Sequence, residues 1–464
     1  MRKRRIIIIG AVAAGTAAAA AARRANPDAE VVLVDQGPDI SYSACEMPIY
    51  VAGDIASDDR LVRFTPAAFS ERYRVEVRVL TTVLAIDAET RHIDLLDERT
   101  GEKDQLWYDA LILATGVRAH VPEALRTASH QVHVLRRLED ARALRTRLDR
   151  DASGHAVVAG AGYVGLDGVE GLTGSGWRVT LLASGGRILK GGLDPEMSLH
   201  LGRWLSSQGV QIRNERATGL DVSPDGRIRA VRTDAGERIG CDLVLAATGT
   251  RPNSELAVAA GIKVERSGGI LVNEALQTSE AAIWACGDVV AYTDLMTGSI
   301  HPVPLALNAF RSGRVAGRNA ARGGVGRAAA MQKVIHAAGV SVAGLEIGHT
   351  GLTLEGAVSA GLDAVAVDTR HRSASSNSPN KPLYVRLVGE RGTRRLLGAQ
   401  LIGEEGAAQR TNTVTALLRS EATVDDAYAL DYLYTPKLAP AHDALFVAAR
   451  QLQKKLDVSG RPSA

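Results

Sequence analysis

Cysteine is scarce in this chain, with three in 464 residues. Three thiols do not knit a disulfide framework at this length, which argues against a disulfide-built secreted scaffold and for a reducing, cytoplasmic compartment. Aromatic side chains make up only 4%, so a binding face of stacked rings for carbohydrate or single-stranded nucleic acid is not expected. Neither charge sign dominates, with 55 Lys and Arg against 52 Asp and Glu. Without a basic stripe, nucleic acid is not an expected partner. No segment reads as a spanning helix, so no membrane partner is expected either. The nearest imitation is at the N-terminus, where Arg2 to Arg5 precede the apolar run Ile6 to Ala22 in the manner of a secretory leader. Gly10 and Gly15 interrupt that run, and a second β-like run, Val31-Val-Leu-Val-Asp35, follows it; a leader needs neither. No histidine pair has metal-ligand spacing, so His301, His336, His349 and His442 read as packed or surface residues and no metal is expected.

What the chain has in excess is glycine, 47 residues, and its placement is informative. Ile6-Ile-Ile-Ile-Gly10-Ala-Val-Ala-Ala-Gly15 leads into an Ala-rich helical stretch and then Val31 to Asp35. Ala156-Val-Val-Ala-Gly160-Ala-Gly162-Tyr-Val-Gly165 leads into a second helix and then Val179-Thr-Leu-Leu. Each reads as strand, glycine turn, helix, strand, the βαβ unit of a dinucleotide-binding domain. Glycine at such a turn lets backbone approach a pyrophosphate, and the helix N-terminus offers free amides and a positive dipole end. The second copy has all three glycines, whereas the first has Val12 in the middle. Asp35 stands where an acid accepts ribose hydroxyls.

Two apolar runs close on Thr-Gly, Leu111 to Gly116 with Thr115, and Leu243 to Gly249 with Thr248. Ile283-Trp-Ala-Cys-Gly287-Asp288 is a strand ending in a carboxylate suited to a ribityl or ribose chain. From about residue 332 the texture becomes β-rich, as in Leu383 to Val388 and Leu396 to Ile402, followed by helices with no phosphate loop. The polar stretch Arg370 to Lys381 reads as an exposed loop or lid. The fold class expected is α/β: two Rossmann-like dinucleotide-binding domains plus a C-terminal α+β dimerisation domain. The divisions expected are 1–120, 121–250, 251–328 and 329–464, with the first and third forming one domain.

This order of motifs resembles the flavin-dependent pyridine nucleotide–disulfide oxidoreductases over nearly the whole chain. The resemblance implies FAD on the first unit, held by Gly10, Gly15, Asp35 and Asp288 with Thr115 and Gly116. It implies NADPH or NADH on the second, at Gly160, Gly162, Gly165, Asp167 and Gly249, and a homodimer made by the last domain. Ser41-Tyr-Ser-Ala-Cys45-Glu-Met-Pro48-Ile-Tyr50 contains one cysteine. The glutathione-reductase branch has two, separated by four residues; here the second place is Tyr50, so no internal dithiol cycle forms. The segment is similar to the single-cysteine group of coenzyme A disulfide reductases, NAD(P)H persulfide or polysulfide reductases, and NADH oxidases and peroxidases. The oxidases and peroxidases carry a histidine in the first glycine turn where this chain has Ala13. That favours a reductase of a small disulfide or persulfide, with an oxidase or peroxidase, or a redox sensor of little turnover, as alternatives.

Within that resemblance Cys45 is the redox nucleophile and Tyr434, in Leu430-Asp-Tyr-Leu-Tyr434-Thr-Pro436, reaches the partner's sulfur site. A helix starting near Pro48, together with the flavin, is expected to lower the Cys45 pKa and so raise its thiolate fraction. Cys241 and Cys286, in apolar strands, read as structural. Arg23 and Arg63 are the candidate contacts for substrate phosphates. The second unit has no acid at Leu182-Ala183-Ser184, which permits NADPH, with Arg187 as the candidate 2′-phosphate contact. The chain departs from the family pattern at Glu46 beside the thiol, at Asp167 for a glutamate, at Lys437 for a proline, and at Ser376 to Ser378 where a tyrosine is usual.

Overall fold

The computed structural model describes residues 2–127, 131–151, 153–323, 326–374, 381–436 and 439–459. Ser376 to Ser378 and Lys437 lie outside the described residues. The first unit is a five-stranded parallel sheet in the order Ile283–Ala285, Ala110–Leu113, Arg5–Ile9, Glu30–Val34, Glu76–Arg78. Its central strand is the Ile run that imitates a leader, and Ile6, Ile7 and Ile8 are fully buried. The Ala-rich stretch is the helix Ala13–Ala25, packed on Ala306–Arg322. Alanines there have a purpose: Gly313 and Gly317 approach so closely that a Cβ on either would strike the Ala14 or Ala18 carbonyl.

The second unit repeats the plan, in the order Gln211–Arg213, Arg178–Leu182, His155–Ala159, Leu243–Ala246, Val132–His133, again all parallel. Continuous apolar strands suit sheets covered on both faces. The chain passes between the two units twice, and the crossings pair as an antiparallel ribbon, Val117–Ala119 with Thr250–Pro252. The C-terminal unit is a five-stranded antiparallel sheet, with the helices Ala407–Arg419 and Ala444–Ser459 packed on it. Within the expected lid, Arg370 to Arg372 instead finish the strand Ala364–Arg372; paired backbone there satisfies donors that a loop would leave to solvent.

Two cores meet across the unit boundaries. Val342, Leu345, Ile347 and Ile402 of the C-terminal sheet share a cluster with the second unit and with Met47 and Val51. A buried polar knot reinforces that seam: Asp194 accepts from Gln400 Nε2 at 2.6 Å and pairs with Arg386 Nε at 3.0 Å. Among the described residues no helix is long and apolar enough to cross a membrane.

Candidate redox site

The two glycine turns superpose in their physics. A Cβ on Gly10 would collide with the Ala114 carbonyl, and one on Gly160 with that of Ala247. Gly15 and Gly165 likewise sit against the carbonyls of Gly10 and Gly160. Gly10 and Gly160 both have positive φ, +103° and +109°, so glycine is required twice over. The middle position differs in kind: Gly162 has φ −84° and Val12 φ −96°, conformations open to any residue. Val12 therefore leaves the first turn intact. Gly162 has nothing within 4 Å of its would-be Cβ, an open face over the helix start. Asp35 accepts the amides of Ala11 (2.7 Å) and Gly37 (2.8 Å), which places a carboxylate at the rim of the first turn. Burial pushes its pKa up, against those two amides.

The Thr-Gly strand ends sit at the ribbon. Thr115 Oγ1 donates to the Asn253 carbonyl at 2.7 Å, and Asn253 Nδ2 returns a bond to Thr115 O. Gly116 and Gly249 have φ of +65° and +112°, and the Gly249 carbonyl receives the His120 amide. These residues stand where the chain crosses between the two units.

Cys45 stands on a single 3₁₀ turn, Ala44–Glu46, directly before the helix Met47–Ala52. The Ser41 amide donates to the Ala11 carbonyl, which ties this segment to the first glycine turn. The other wall comes from the second unit. Its helix Tyr163–Gly174 packs on Met47–Ala52 so closely that a Cβ on Gly171 or Gly174 would lie 3.0 Å from Val51 or Ala52. The thiol is free and exposed in this chain, whereas Cys241 and Cys286 are buried. Burial pushes both of those thiols up to about 12, which leaves them inert as nucleophiles.

The charges around Cys45 run against the part of the expectation that rests on the helix. The helix begins where the sequence suggests, but the thiol pKa is raised, first by desolvation and then by the carboxylates Asp167 and Asp288, with Arg136 opposing and Glu46 adding to the rise. A six-residue helix has little dipole to set against those carboxylates. Asp167 is itself pushed up to about 7, by burial and then by Glu170. Asp288 is raised by burial and relieved by Arg136, whose Nη2 lies 3.1 Å from Asp288 Oδ2. Gly287 (φ +82°) lets this segment press against Ala14 of the first-turn helix. Arg136 is the residue that sequence reasoning missed: it arrives from the start of the second unit, and no local motif marks it.

Two arginines are placed elsewhere than expected. Arg23 spends its guanidinium on the carbonyls of Pro27, Ala29, Tyr73 and Arg74, so it clamps backbone and faces no substrate. Arg187 Nη1 pairs with Glu355 at 2.6 Å and Nη2 donates to Leu193 O at 2.8 Å, which ties its loop to the C-terminal unit and leaves no free fork for a 2′-phosphate. Arg63 is exposed, and its amide donates to Ser41 O beside the thiol segment. Tyr434 is 59% exposed, and Leu433 beside it 68%. The segment following it is anchored by Asp443, which is bound by Arg410 at 2.7 Å. His349 is buried and stacks on Tyr163 at 5.9 Å, with His336 edge-on to it at 4.8 Å. Among the described residues no cluster of His, Cys, Asp and Glu is fit to hold a metal.

Two glycine turns of the dinucleotide-binding kind and one exposed thiol define the class of a nucleotide-linked oxidoreductase. The chain belongs to the pyridine nucleotide-disulphide oxidoreductase family, matched over residues 4–313, with that family's dimerisation domain at 337–444. It is 31% identical to an NADH oxidase of Methanocaldococcus jannaschii over 439 residues, 94% of this chain and 95% of the relative. It is 32% identical to an NAD(P)H coenzyme A polysulfide/persulfide reductase of Pyrococcus horikoshii over 435 residues, 93% and 94% of the two chains. The structure of an NAD-dependent persulfide reductase from A. fulgidus superposes with a TM-score of 0.93 at 31% identity, covering 98% of this chain and 84% of that one.

Proposed function

We propose that the protein is an FAD-dependent reductase that uses NAD(P)H to cleave a disulfide, persulfide or polysulfide of a low-molecular-weight thiol at Cys45. The observation that carries this reading is a single accessible thiol between two nucleotide turns, with both other cysteines buried elsewhere. The first turn fits a dinucleotide: its glycines make the close cradle, Asp35 stands at the rim, and Asp288 with Arg136 faces the thiol side. Gly10, Gly15, Asp35, Asp288 and the passage at Thr115 and Gly116 would hold FAD. Gly160, Gly162, Gly165 and Gly249 would receive NADPH or NADH, with Asp167 beside the nicotinamide. FAD, when bound, supplies the two-electron relay between reduced nicotinamide and sulfur.

The chain's own residues do the rest. The Cys45 thiolate attacks one sulfur of R–S–S–R, forming Cys45–S–S–R and releasing RS⁻. Two electrons from NAD(P)H then split that mixed disulfide, giving the second thiol and restoring Cys45. The balance is NAD(P)H, one proton and R–S–S–R to NAD(P)⁺ and two RSH. Arg136 favours the thiolate electrostatically, and Asp167, titrating near neutrality, holds a proton beside the leaving sulfur. Tyr434, exposed in the dimerisation domain, acts in this reading on the site of a second copy, and the working unit is a homodimer. Three free cysteines suit a reducing, cytoplasmic setting. Arg63, exposed and bonded through its amide to the thiol segment, is the candidate contact for a charged substrate such as a coenzyme A disulfide.

The test is anaerobic NAD(P)H oxidation with coenzyme A disulfide, a coenzyme A persulfide or inorganic polysulfide, beside Cys45→Ser. The expected result is turnover on at least one sulfur substrate that falls by about 10³-fold or more in the variant. Oxidation that waits for oxygen would instead place the chain with the NADH oxidases, a role against which Ala13 in the first turn argues.

A further inference from the structure

The C-terminal unit touches the redox centre by a route that the proposed chemistry does not use. The turn between its strands Ala337–Val342 and Leu345–Gly351 is seated on the second unit at Ala343. The Ala343 amide donates to Glu170 Oε2 at 2.6 Å, and its carbonyl accepts from Trp204 Nε1 at 2.9 Å. Glu170 lies on the helix Tyr163–Gly174, three residues after Asp167, and residues at that spacing share a helix face. Asp167 in turn faces Cys45 and is the leading charge acting on it. We propose that Glu170 is a positioning residue for the redox centre, held by the Ala343 amide of the C-terminal unit and acting on Cys45 only through Asp167.

The electrostatics around the helix leave Glu170 without a rival for this part. The strand Ala337–Val342 packed on it carries no ionisable side chain, and neither does Leu243–Ala246. The strands His155–Ala159 and Arg178–Leu182 carry only His155 and Arg178, each as the first residue, at the strand end away from the glycine turn. Met47–Ala52 offers only Tyr50, and the segment before it Cys45 and Glu46. Across the cleft stand Asp288 and Arg136. Tyr163 begins the same helix and stacks on His349, whose pKa burial and then His336 push down to about 3, so it carries no charge near neutrality. Glu170 is the one charge that acts appreciably on Asp167, adding to the effect of burial. A carboxylate fixed there disfavours a second charge one turn away, so Asp167 keeps its proton to higher pH and withholds a negative charge from the thiol near neutrality. The Ala343 amide of the C-terminal unit fixes where that carboxylate stands, and its charge acts on Asp167.

This inference rests on Cys45 as the redox thiol, but its test needs no turnover. The FAD-loaded full-length protein, without nicotinamide, is treated with iodoacetamide between about pH 5.5 and 9, and Cys45 modification is timed. The other two cysteines are buried and do not interfere. Glu170→Gln keeps an acceptor for the Ala343 amide while removing the charge. It is expected to slow Cys45 alkylation about twofold near pH 7, converging with the wild type above about pH 8.5, where Asp167 is ionised in both. In an Asp167→Asn background the same substitution is expected to change nothing. Trp204→Phe, which loosens the same turn without touching a charge, is expected to lower the melting temperature and leave the alkylation profile in place. An unchanged profile in Glu170→Gln, an equal effect without Asp167, or an equal effect from Trp204→Phe each overturns the proposal. Normal alkylation behaviour in a protein that reduces no sulfur substrate would instead sink the reading of Cys45 as the redox thiol.

Discussion

At Cys45 three carboxylates face one guanidinium, and the balance among them decides how much thiolate exists at neutral pH. Desolvation and the charges of Asp167, Asp288 and Glu46 push the thiol pKa up, and among the leading influences Arg136 pulls it down. Arg136→Met should therefore move the pH profile of Cys45 alkylation to higher pH by roughly half a unit or more, and Arg136→Lys should recover part of the shift. Asp288 loses its counter-charge in the same variant, so its own pKa rises further and more of it is protonated. That second effect opposes the first, which makes the observed shift a lower bound on the direct action of Arg136. An unmoved profile would remove Arg136 from the site. Cys45, Asp167 and Asp288 were legible through the family pattern, but Arg136 and the balance of charge were not, because the four come from separate segments and only the fold brings their charges to bear on one thiol. What the residues expose most directly is the thiol itself and the missing second cysteine at Tyr50.

The glycine turns show why elements were easier to read than sites. A βαβ unit is written in local chemistry: an apolar run, a residue that must take positive φ, a helix, a second apolar run. Both copies were legible for that reason, and Val12 obscured the first only because a motif does not say which of its glycines are needed for conformation. Gly165 is needed for the fold, since a Cβ there meets the Gly160 carbonyl, whereas Gly162 faces open space. Gly165→Ala should cost about 2 kcal/mol or more of stability, read as a lower melting temperature of the protein without nicotinamide. Gly162→Ala should leave that temperature nearly unchanged yet raise KM for NAD(P)H several-fold, because its methyl group occupies the space that the pyrophosphate approaches. Equal stability losses in the two variants would contradict this division. Side-chain contacts between units were the opposite case. Arg23 and Arg187 read as free cations, but their partners are backbone carbonyls and a glutamate distant in sequence, which no spacing rule announces.

At the scale of the whole molecule, the proposed reading pairs Cys45 of one copy with Tyr434 of a second. Tyr434 projects from the C-terminal unit beside Leu433, both exposed, while neighbouring Tyr432 turns inward to bond the Ala427 carbonyl. An apolar, outward-pointing pair on an otherwise anchored segment is what an interface needs, and a two-fold dimer satisfies it twice with the same patch. In such a dimer each site takes Cys45 from one copy and Tyr434 from the other. Cys45→Ser and Tyr434→Phe are then each impaired as homodimers. When the two are unfolded together and refolded as a mixture, half of the dimers are mixed, and each mixed dimer has one intact site of its two. Turnover should return to about one quarter of the wild-type value, and light scattering should report a dimer throughout. If both residues served the same chain, every site in the mixture would lack one of them and nothing would be regained. Recovery on mixing therefore separates action across the dimer from action within the chain, which neither single variant does alone.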